Sequence, residues 1–245
     1  MKLLLFIICS SLFLSQQTSA QDFITRGKIE YEIKKNNKRI YTDAERASNS
    51  WIASKPEFDI YYRDLVFAGN QLLYTLGRRG TTTYFAADNS LYTDLENRQT
   101  ISQQYFINEP YLLADSVRPI KWKIENEIRK IAGFDCRKAI GVIHDSVYVV
   151  AFYCPEIVPQ GGPEFFSGLP GMILGLAIPR EFTTWFATKV ELADDTKIAP
   201  PVVKKSKPHT KKELAAILSK KYKEVGWWKN EDFERALREV DRYTF

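Results

Sequence analysis

The sequence predicts a mainly β protein, α+β overall, in which an antiparallel sheet is followed by a C-terminal helical hairpin. Aromatic residues make up 13% of the 245-residue chain, and many short segments alternate between apolar and polar residues. Both features are typical of antiparallel sheets with one buried face. Helical spacing dominates only after Asp195, where the character of the chain changes. The composition, 44% hydrophobic and 27% charged, is that of a globular protein and excludes disorder.

The first twenty residues have the pattern of a secretory signal peptide. Lys2 precedes an apolar run over 3–14, and Thr18-Ser19-Ala20 offers a cleavage site after Ala20. The run is too short to span a membrane, although a membrane anchor is the alternative interpretation. We therefore expect an exported protein in the periplasm or on the periplasmic face of the outer membrane, with no transmembrane span in the mature chain.

The β domain is expected over 21–196. Alternation is strictest over 27–34, where Ile29, Tyr31 and Ile33 share one face. Residues 43–53 fit a short helix or a loop insertion. Glycine- and asparagine-containing turns separate further predicted strands at 57–63, 71–76, 81–86, 100–107, 121–131, 172–178 and 182–193.

Residues 134–154 are predicted to form a hairpin that turns at His144-Asp145-Ser146. This register places Cys136 opposite Cys154 at a spacing near the short end of what a disulfide bond accepts. An exported protein meets an oxidising compartment, so a disulfide is the favoured interpretation. A reduced buried pair and a redox or soft-metal site are the alternatives.

The segment from 197 to 245 is predicted to be a basic linker and a helical hairpin. Thr210 and Glu213 form a capping box, and Gly226 ends the first helix. Apolar residues at helical spacing follow in both helices: Leu214, Ile217, Leu218, Tyr222, Phe233, Leu237 and Val240. The segment holds 13 basic and seven acidic residues, which suit either a solvated helix face or contact with anionic lipid.

Familiar catalytic motifs are absent from the sequence. With two histidines, His144 in a predicted turn and His209 in the linker, a His-rich metal site is excluded and a histidine-based nucleophilic site has little support. No cofactor and no metal site are expected, and a formal charge of +5 is too small to indicate nucleic acid. A hydrolase that uses two carboxylates stays open, because thirty acidic residues offer many pairs.

The strongest local signal is a loop rich in proline and glycine after Cys154. Pro170-Gly171 suits a type II turn leading into the strand at 172, and Gly161-Gly162-Pro163 makes another break. Such a loop is either a rigid connection or an ordered surface that binds a ligand or partner. The candidate residues are Gly161, Gly162, Pro163, Phe165, Gly168, Leu169, Pro170, Gly171, Met172 and Ile173.

The segment around this loop resembles the GLPGLI family of exported Bacteroidetes proteins. The family motif corresponds to Gly168-Leu-Pro-Gly-Met-Ile173, with Met172 in place of leucine, and the flanking segments 131–139 and 153–157 also match. The resemblance implies a signal peptide, no established enzymatic activity and an envelope partner such as a TonB-dependent outer-membrane receptor. By analogy with lipoprotein carriers, it also implies that the sheet is curved and half-barrel-like.

Together these observations predict a non-enzymatic accessory protein of the cell envelope. It is expected to bind an apolar small molecule, a lipid or an outer-membrane protein. An envelope hydrolase with paired carboxylates and a purely structural envelope protein are the alternatives.

Overall fold

The structure is a computed structural model that describes residues 23–80, 88–193, 197–204 and 206–242. The predicted signal peptide at 1–20 and the predicted strand at 81–86 lie outside these residues. Within the described ranges, no helix has the length and apolar character needed to cross a membrane.

Eleven antiparallel strands form one open sheet in the described part of the chain. Their bounds are β1 Arg26–Asn36, β2 Phe58–Ala68, β3 Gln71–Leu76, β4 Ser90–Asp94, β5 Gln99–Phe106, β6 Glu109–Ser116, β7 Trp122–Ile131, β8 Phe134–Ile143, β9 Val147–Cys154, β10 Met172–Ile178 and β11 Thr183–Glu191. The spatial order is β6-β5-β4-β3-β2-β1-β11-β10-β9-β8-β7, so β6 and β7 are the edges. The predicted mainly β, antiparallel fold is thereby confirmed.

In the ranges that the structure describes, five α-helices accompany the sheet, in the order α1 Asn37–Ile40, α2 Asp43–Ser48, α3 Ser50–Ala53, α4 Lys211–Glu224 and α5 Phe233–Arg242. The ambiguous segment 43–53 forms the two short helices α2 and α3. Thr42 caps α2 and Thr210 caps α4, each through a capping box with the glutamate three residues later.

The central strand β1 shows why the pattern predicted a sheet. Ile29, Tyr31 and Ile33 are fully buried on one face, and the residues between them are partly exposed on the other. β1 pairs with β2 along its whole length and with β11 on its other side. The core strand of the sheet is therefore the one with the strictest alternation.

Two strands, β4 and β6, were not predicted from the sequence. β4 has only five residues, which leaves little alternation to detect. β6 contains Pro110, which argues against a strand in the middle of a sheet. β6 tolerates Pro110 because β6 lies at the edge of the sheet. On its open side, no neighbouring strand needs the N–H that proline lacks.

The hairpin of β8 and β9 has the predicted register, with Lys138 opposite Phe152 and Val142 opposite Tyr148. His144 and Asp145 both adopt positive φ, and the Ser146 N–H donates to the Ile143 carbonyl over 3.3 Å. This is the type I′ geometry that suits the twist of antiparallel strands.

The sheet curves around the segment 155–171, which connects β9 to β10 and is called the plug loop below. Gln104 of β5 and Ile178 of β10 border one cleft, although six strand spacings separate β5 from β10. In a flat sheet that separation would be about 29 Å. One large core joins buried residues of β1–β4 and β7–β11 to Ile157, Phe166 and Leu169 of the plug loop. The concave face is therefore filled mainly by the chain itself.

The helical hairpin α4–α5 packs against β5 and β6 through a separate apolar cluster. Phe106, Tyr111 and Leu113 of the sheet meet residues of both helices and their bend: Leu214, Ala215, Leu218, Tyr222, Trp228, Ala236 and Val240. Backbone bonds of His209 to Leu112 and Ala114, both 2.8 Å, cover part of the β6 edge. The predicted hairpin is present, but Ile217 and Phe233 are partly exposed and Ala215 and Ala236 are buried in their place.

Candidate functional site

Hydrogen bonds hold the plug loop in place on the concave face. The Gly168 N–H donates to Gln160 O over 2.9 Å, and the Ile173 N–H donates to Gly161 O over 2.8 Å. From the β7 edge, the Trp122 indole N–H donates to Ser167 O over 2.9 Å. The loop is thus an ordered element that is tied to the sheet at several points.

The turn at Leu169-Pro170-Gly171 differs from the predicted type II turn. The Gly171 N–H donates to Leu169 O over 2.8 Å, which makes a three-residue γ-turn around Pro170. The Met172 N–H, which a type II turn would direct to Leu169, instead donates to Ile157 O over 2.9 Å. The hydrogen bond from Met172 to Ile157, near the start of the loop, thus replaces the bond that would close a four-residue turn.

Gly171 is required at its position for two reasons. Its φ is +142°, and a Cβ placed there would lie 2.2 Å from the carbonyl oxygen of Cys154. Both the backbone conformation and the available space therefore exclude a side chain.

The other motif residues divide into a buried set and a set that borders the cleft. Leu169, Met172 and Ile173 are buried in the main core. Gly161, Gly162 and Phe165 line the space between the plug loop and strands β2–β5, together with Glu164 and Phe166. Pro163 is buried, whereas Gly168 and Pro170 are exposed. The motif therefore builds the loop, and the residues before it face the cleft.

A cleft of about 220 Å³ lies between the plug loop and the concave face of the sheet. Its walls come from β2–β5, the plug loop and the β10–β11 connection, and its lining combines aromatic, amide, hydroxyl and charged side chains. The residues are Tyr61, Arg63, Tyr74, Asn89, Ser90, Leu91, Ser102, Gln104, Glu164, Phe165, Phe166, Ile178, Glu181 and Trp185.

Glu164 is the least expected residue of this cleft. Its φ is +52°, a conformation that is uncommon for residues other than glycine. Burial raises the pKa of its carboxyl, while the charge of Arg63 and the donor groups of Trp185 and Tyr74, which lie beside the carboxyl, act in the opposite direction. An acid with a raised pKa in a strained loop is a frequent mark of a functional site.

Among the described residues, two buried polar atoms lie beside the Glu164 carboxyl without completing a hydrogen bond to it or to any other group. They are the hydroxyl of Tyr74 and the indole nitrogen of Trp185, on side chains that are 3% and 7% exposed. Leaving a buried donor unsatisfied costs about 1–3 kcal/mol, so such groups are rare without a reason. Both residues line the cleft, where a bound molecule can supply the missing partner.

The rest of the cleft wall is a hydrogen-bonded framework. The Arg63 guanidinium donates to Asn89 O over 2.8 Å. The Asn89 side-chain amide donates to Gln104 Oε1 over 3.4 Å, and Gln104 donates to Ser102 Oγ over 3.3 Å. Burial also raises the pKa of Tyr61 well above its usual range, which keeps this phenol neutral. These partners fix the polar wall before any ligand arrives.

Sequence reasoning missed the cleft residues because they come from seven separate segments. Glu164 was adjacent to the predicted candidates Pro163 and Phe165, and a lone acid in a proline- and glycine-rich loop was the available signal. Tyr74 and Trp185 each sat within a predicted strand, where an aromatic residue has no distinguishing pattern. Of the two histidines, neither His144 nor His209 lines the cleft.

The predicted disulfide bond between Cys136 and Cys154 is not present in the structure, where both residues are buried free thiols. The β8–β9 ladder ends one pair earlier, at Arg137 and Tyr153, so the cysteines lie just beyond the regular pairing. The Cys136 thiol donates to Phe134 O over 3.5 Å, and interaction between the two thiols raises the pKa of Cys136 and lowers that of Cys154. Among the described residues, no three Cys, His, Asp or Glu side chains group as metal ligands.

The fold and the cleft together define a class: an open, curved antiparallel sheet whose concave face is filled by a loop of its own chain. No family model and no curated protein match the chain. Two solved structures of PNGF-II, in the C2 and P21 space groups, are similar in fold with a TM-score of 0.51 and 13% identity. The matched region covers 70% and 71% of this chain, and 28% and 29% of the length of the PNGF-II chains. At this identity the similarity concerns the fold alone.

Proposed function

We propose that the chain is a non-enzymatic accessory protein of the cell envelope that binds a small ligand in the cleft beneath the plug loop. The observation that carries the proposal is the pair of buried donors, Tyr74 and Trp185, that lack partners beside Glu164. Binding pockets combine apolar walls with a few placed polar groups, and this cleft has that composition.

The envelope location and the partner rest on the sequence. The signal-peptide pattern and the resemblance to the GLPGLI family support export, and the same resemblance supports an outer-membrane receptor as partner. The predicted apolar ligand is less suited to the cleft than a polar one, because Tyr74, Glu164 and Arg63 border the space. An apolar molecule would leave both unpaired donors unsatisfied.

Native mass spectrometry of the full chain, exported and purified under non-denaturing conditions, tests ligand binding. We expect a small-molecule adduct on the wild type that is lost when Tyr74→Phe and Trp185→Phe are combined. Tyr148→Phe is the matched control, because Tyr148 is 64% exposed at the β8–β9 hairpin. An adduct that survives the double substitution, or wild type that never carries one, contradicts the proposal.

A second candidate function, a hydrolase with two carboxylates, is favoured by one observation. Glu164, whose pKa is raised by burial, and Glu181 line the same cleft. An acid with a raised pKa can donate a proton while a second carboxylate acts as base or nucleophile. Turnover of aryl glycosides that is abolished by either Glu164→Gln or Glu181→Gln would support this candidate. A wild type that hydrolyses none of them would remove it.

We also propose that Cys136 and Cys154 form a disulfide bond after export. The two buried thiols already lie close enough for each to shift the pKa of the other, and the bridge would stabilise the fold by about 3 kcal/mol. Alkylation of the denatured, unreduced protein checks this. We expect both cysteines to be blocked in exported protein and free in protein made in the cytosol without residues 1–20. Two alkylated cysteines in the exported protein would contradict the proposal.

A further inference from the structure

We propose that the cleft ligand is a neutral, polyhydroxylated ring compound about the size of a single sugar unit. This inference rests on the proposed function and names the chemical class of its ligand. Four properties of the cleft carry it: size, charge, hydrogen-bonding groups and aromatic walls.

The size of the cleft suits a small ligand. A volume of about 220 Å³ is below the range of roughly 300–1,000 Å³ that is typical for drug-sized ligands. One substituted six-membered ring suits a space of this size.

The charges in the cleft favour a neutral ligand. Arg63 is the cation of the lining, and Glu164 and Glu181 are its acids. The guanidinium of Arg63 already donates to Asn89 O. Because burial raises the pKa of Glu164, its neutral form leaves Arg63 balanced against Glu181 in the lining. Neither an anion nor a cation then finds a surplus of the opposite sign.

The hydrogen-bonding groups call for donors and acceptors on the same small ligand. The Trp185 indole nitrogen can only donate, and neither it nor the Tyr74 hydroxyl has a hydrogen-bond partner in the described part of the chain. The Glu164 carboxyl and the Ser102 hydroxyl offer acceptor atoms nearby in the lining. A ligand hydroxyl accepts one hydrogen bond while it donates another, so a ring with several hydroxyls can satisfy both kinds of group.

The aromatic walls supply the apolar part of the recognition. Tyr61, Phe165 and Trp185 all contribute to the lining. Rings of this kind pack against the C–H faces of a cyclic ligand, while its hydroxyls reach the polar groups around the rim. A ligand with one apolar face and a polar circumference matches this arrangement.

Isothermal titration of the full chain with named probes tests the inference. The sugar arm uses D-glucose, D-galactose, D-mannose and N-acetyl-D-glucosamine. The other arms use succinate as an anion, L-lysine as an amine and toluene as an apolar ring. We expect saturable binding of at least one sugar, weakened about tenfold by Tyr74→Phe and about tenfold by Trp185→Phe, with Tyr148→Phe unchanged.

The outcomes separate this inference from the proposed function. Binding of succinate, L-lysine or toluene alone, weakened by the cleft substitutions, overturns the ligand class and leaves a binding cleft in place. Sugar binding that neither substitution weakens also overturns the inference, because the sugar would then sit elsewhere. If no sugar binds, the inference is wrong, and the adduct measured on exported protein decides the proposed function separately.

Discussion

Two buried tyrosines in edge-to-face contact, Tyr31 and Tyr74, differ in what their hydroxyls do. Their ring centroids are 6.4 Å apart. The Tyr31 hydroxyl donates to Ile173 O over 2.5 Å and ties β1 to the start of β10. The Tyr74 hydroxyl borders the cleft and makes no hydrogen bond to any residue that the structure describes. The same chemical group is therefore structural at one position and available for a ligand at the other.

Substitution by phenylalanine separates these roles. We expect Tyr31→Phe to lower the free energy of unfolding by about 1–3 kcal/mol, because Ile173 O is left buried without a donor. Tyr74→Phe should leave the free energy of unfolding unchanged or raise it by about 1 kcal/mol, because it removes an unsatisfied group. Urea unfolding of the ligand-free proteins measures both. Equal losses in the two variants would contradict the assignment.

Glu164 makes stability depend on pH in a known direction. Burial raises the pKa of its carboxyl above the ordinary value of 4.5. The folded state therefore keeps a proton that the unfolded chain loses, and stability falls as pH rises from about 4.5 to the folded pKa. Glu164→Gln should remove this loss. Its free energy of unfolding relative to wild type should therefore increase as pH rises through that window and then level off.

Urea unfolding between pH 4 and pH 8 checks this behaviour. Glu45→Gln is a control of opposite sign, because the backbone and side chain of Thr42 lower the pKa of Glu45. The ionised carboxylate of Glu45 stabilises the folded state above its unfolded pKa, and this stabilisation is lost as pH falls. Parallel curves for wild type and Glu164→Gln would contradict the raised pKa of Glu164.

At the scale of elements, the plug loop depends on the backbone of its glycines. Gly168 and Gly171 both have positive φ, but their surroundings differ. A Cβ at Gly168 would have the Trp122 indole nitrogen at 3.9 Å as its nearest neighbour, whereas one at Gly171 would collide with Cys154 O. The two positions thus share backbone strain and differ in available space.

Alanine substitutions measure the difference. Gly168→Ala should cost about 1–3 kcal/mol of stability from strain alone. Gly171→Ala should cost roughly a further 1–3 kcal/mol, because the β9–β10 connection must also shift. Thermal and urea unfolding check this order. A Gly171→Ala protein as stable as Gly168→Ala would show that the contact with Cys154 O is relieved without cost.

The elements differ in how far their sequence determined them. The hairpin of β8 and β9 and the capping box of α4 were predictable, because turn chemistry and side-chain period are local. β6 was not, because Pro110 is acceptable only at an edge, and edge position depends on the whole sheet. The γ-turn at Pro170 depends likewise on the bond from Met172 to Ile157, which no local pattern contains.

At the scale of the whole molecule, curvature brings the candidate site together. Tyr74 of β3 and Trp185 of β11 belong to strands three positions apart in the sheet, and Glu164 reaches them from the plug loop. The sequence indicated an ordered loop and aromatic strands, and it located the loop that contains Glu164. It could not pair these residues, because each contact depends on how the sheet bends around the loop.

The indole N–H signals of the tryptophans give the most direct test of the ligand cleft. Trp122 already donates to Ser167 O, so its signal serves as an internal reference. The Trp185 nitrogen is buried without a partner among the described residues and should gain one on binding. In a titration of the ¹⁵N-labelled full chain with the best-binding sugar, we expect a saturable downfield shift of the Trp185 indole proton while Trp122 stays unchanged. A Trp185 signal that does not move while the sugar binds would show that the sugar does not bind at the Trp185 nitrogen and would contradict the proposed cleft.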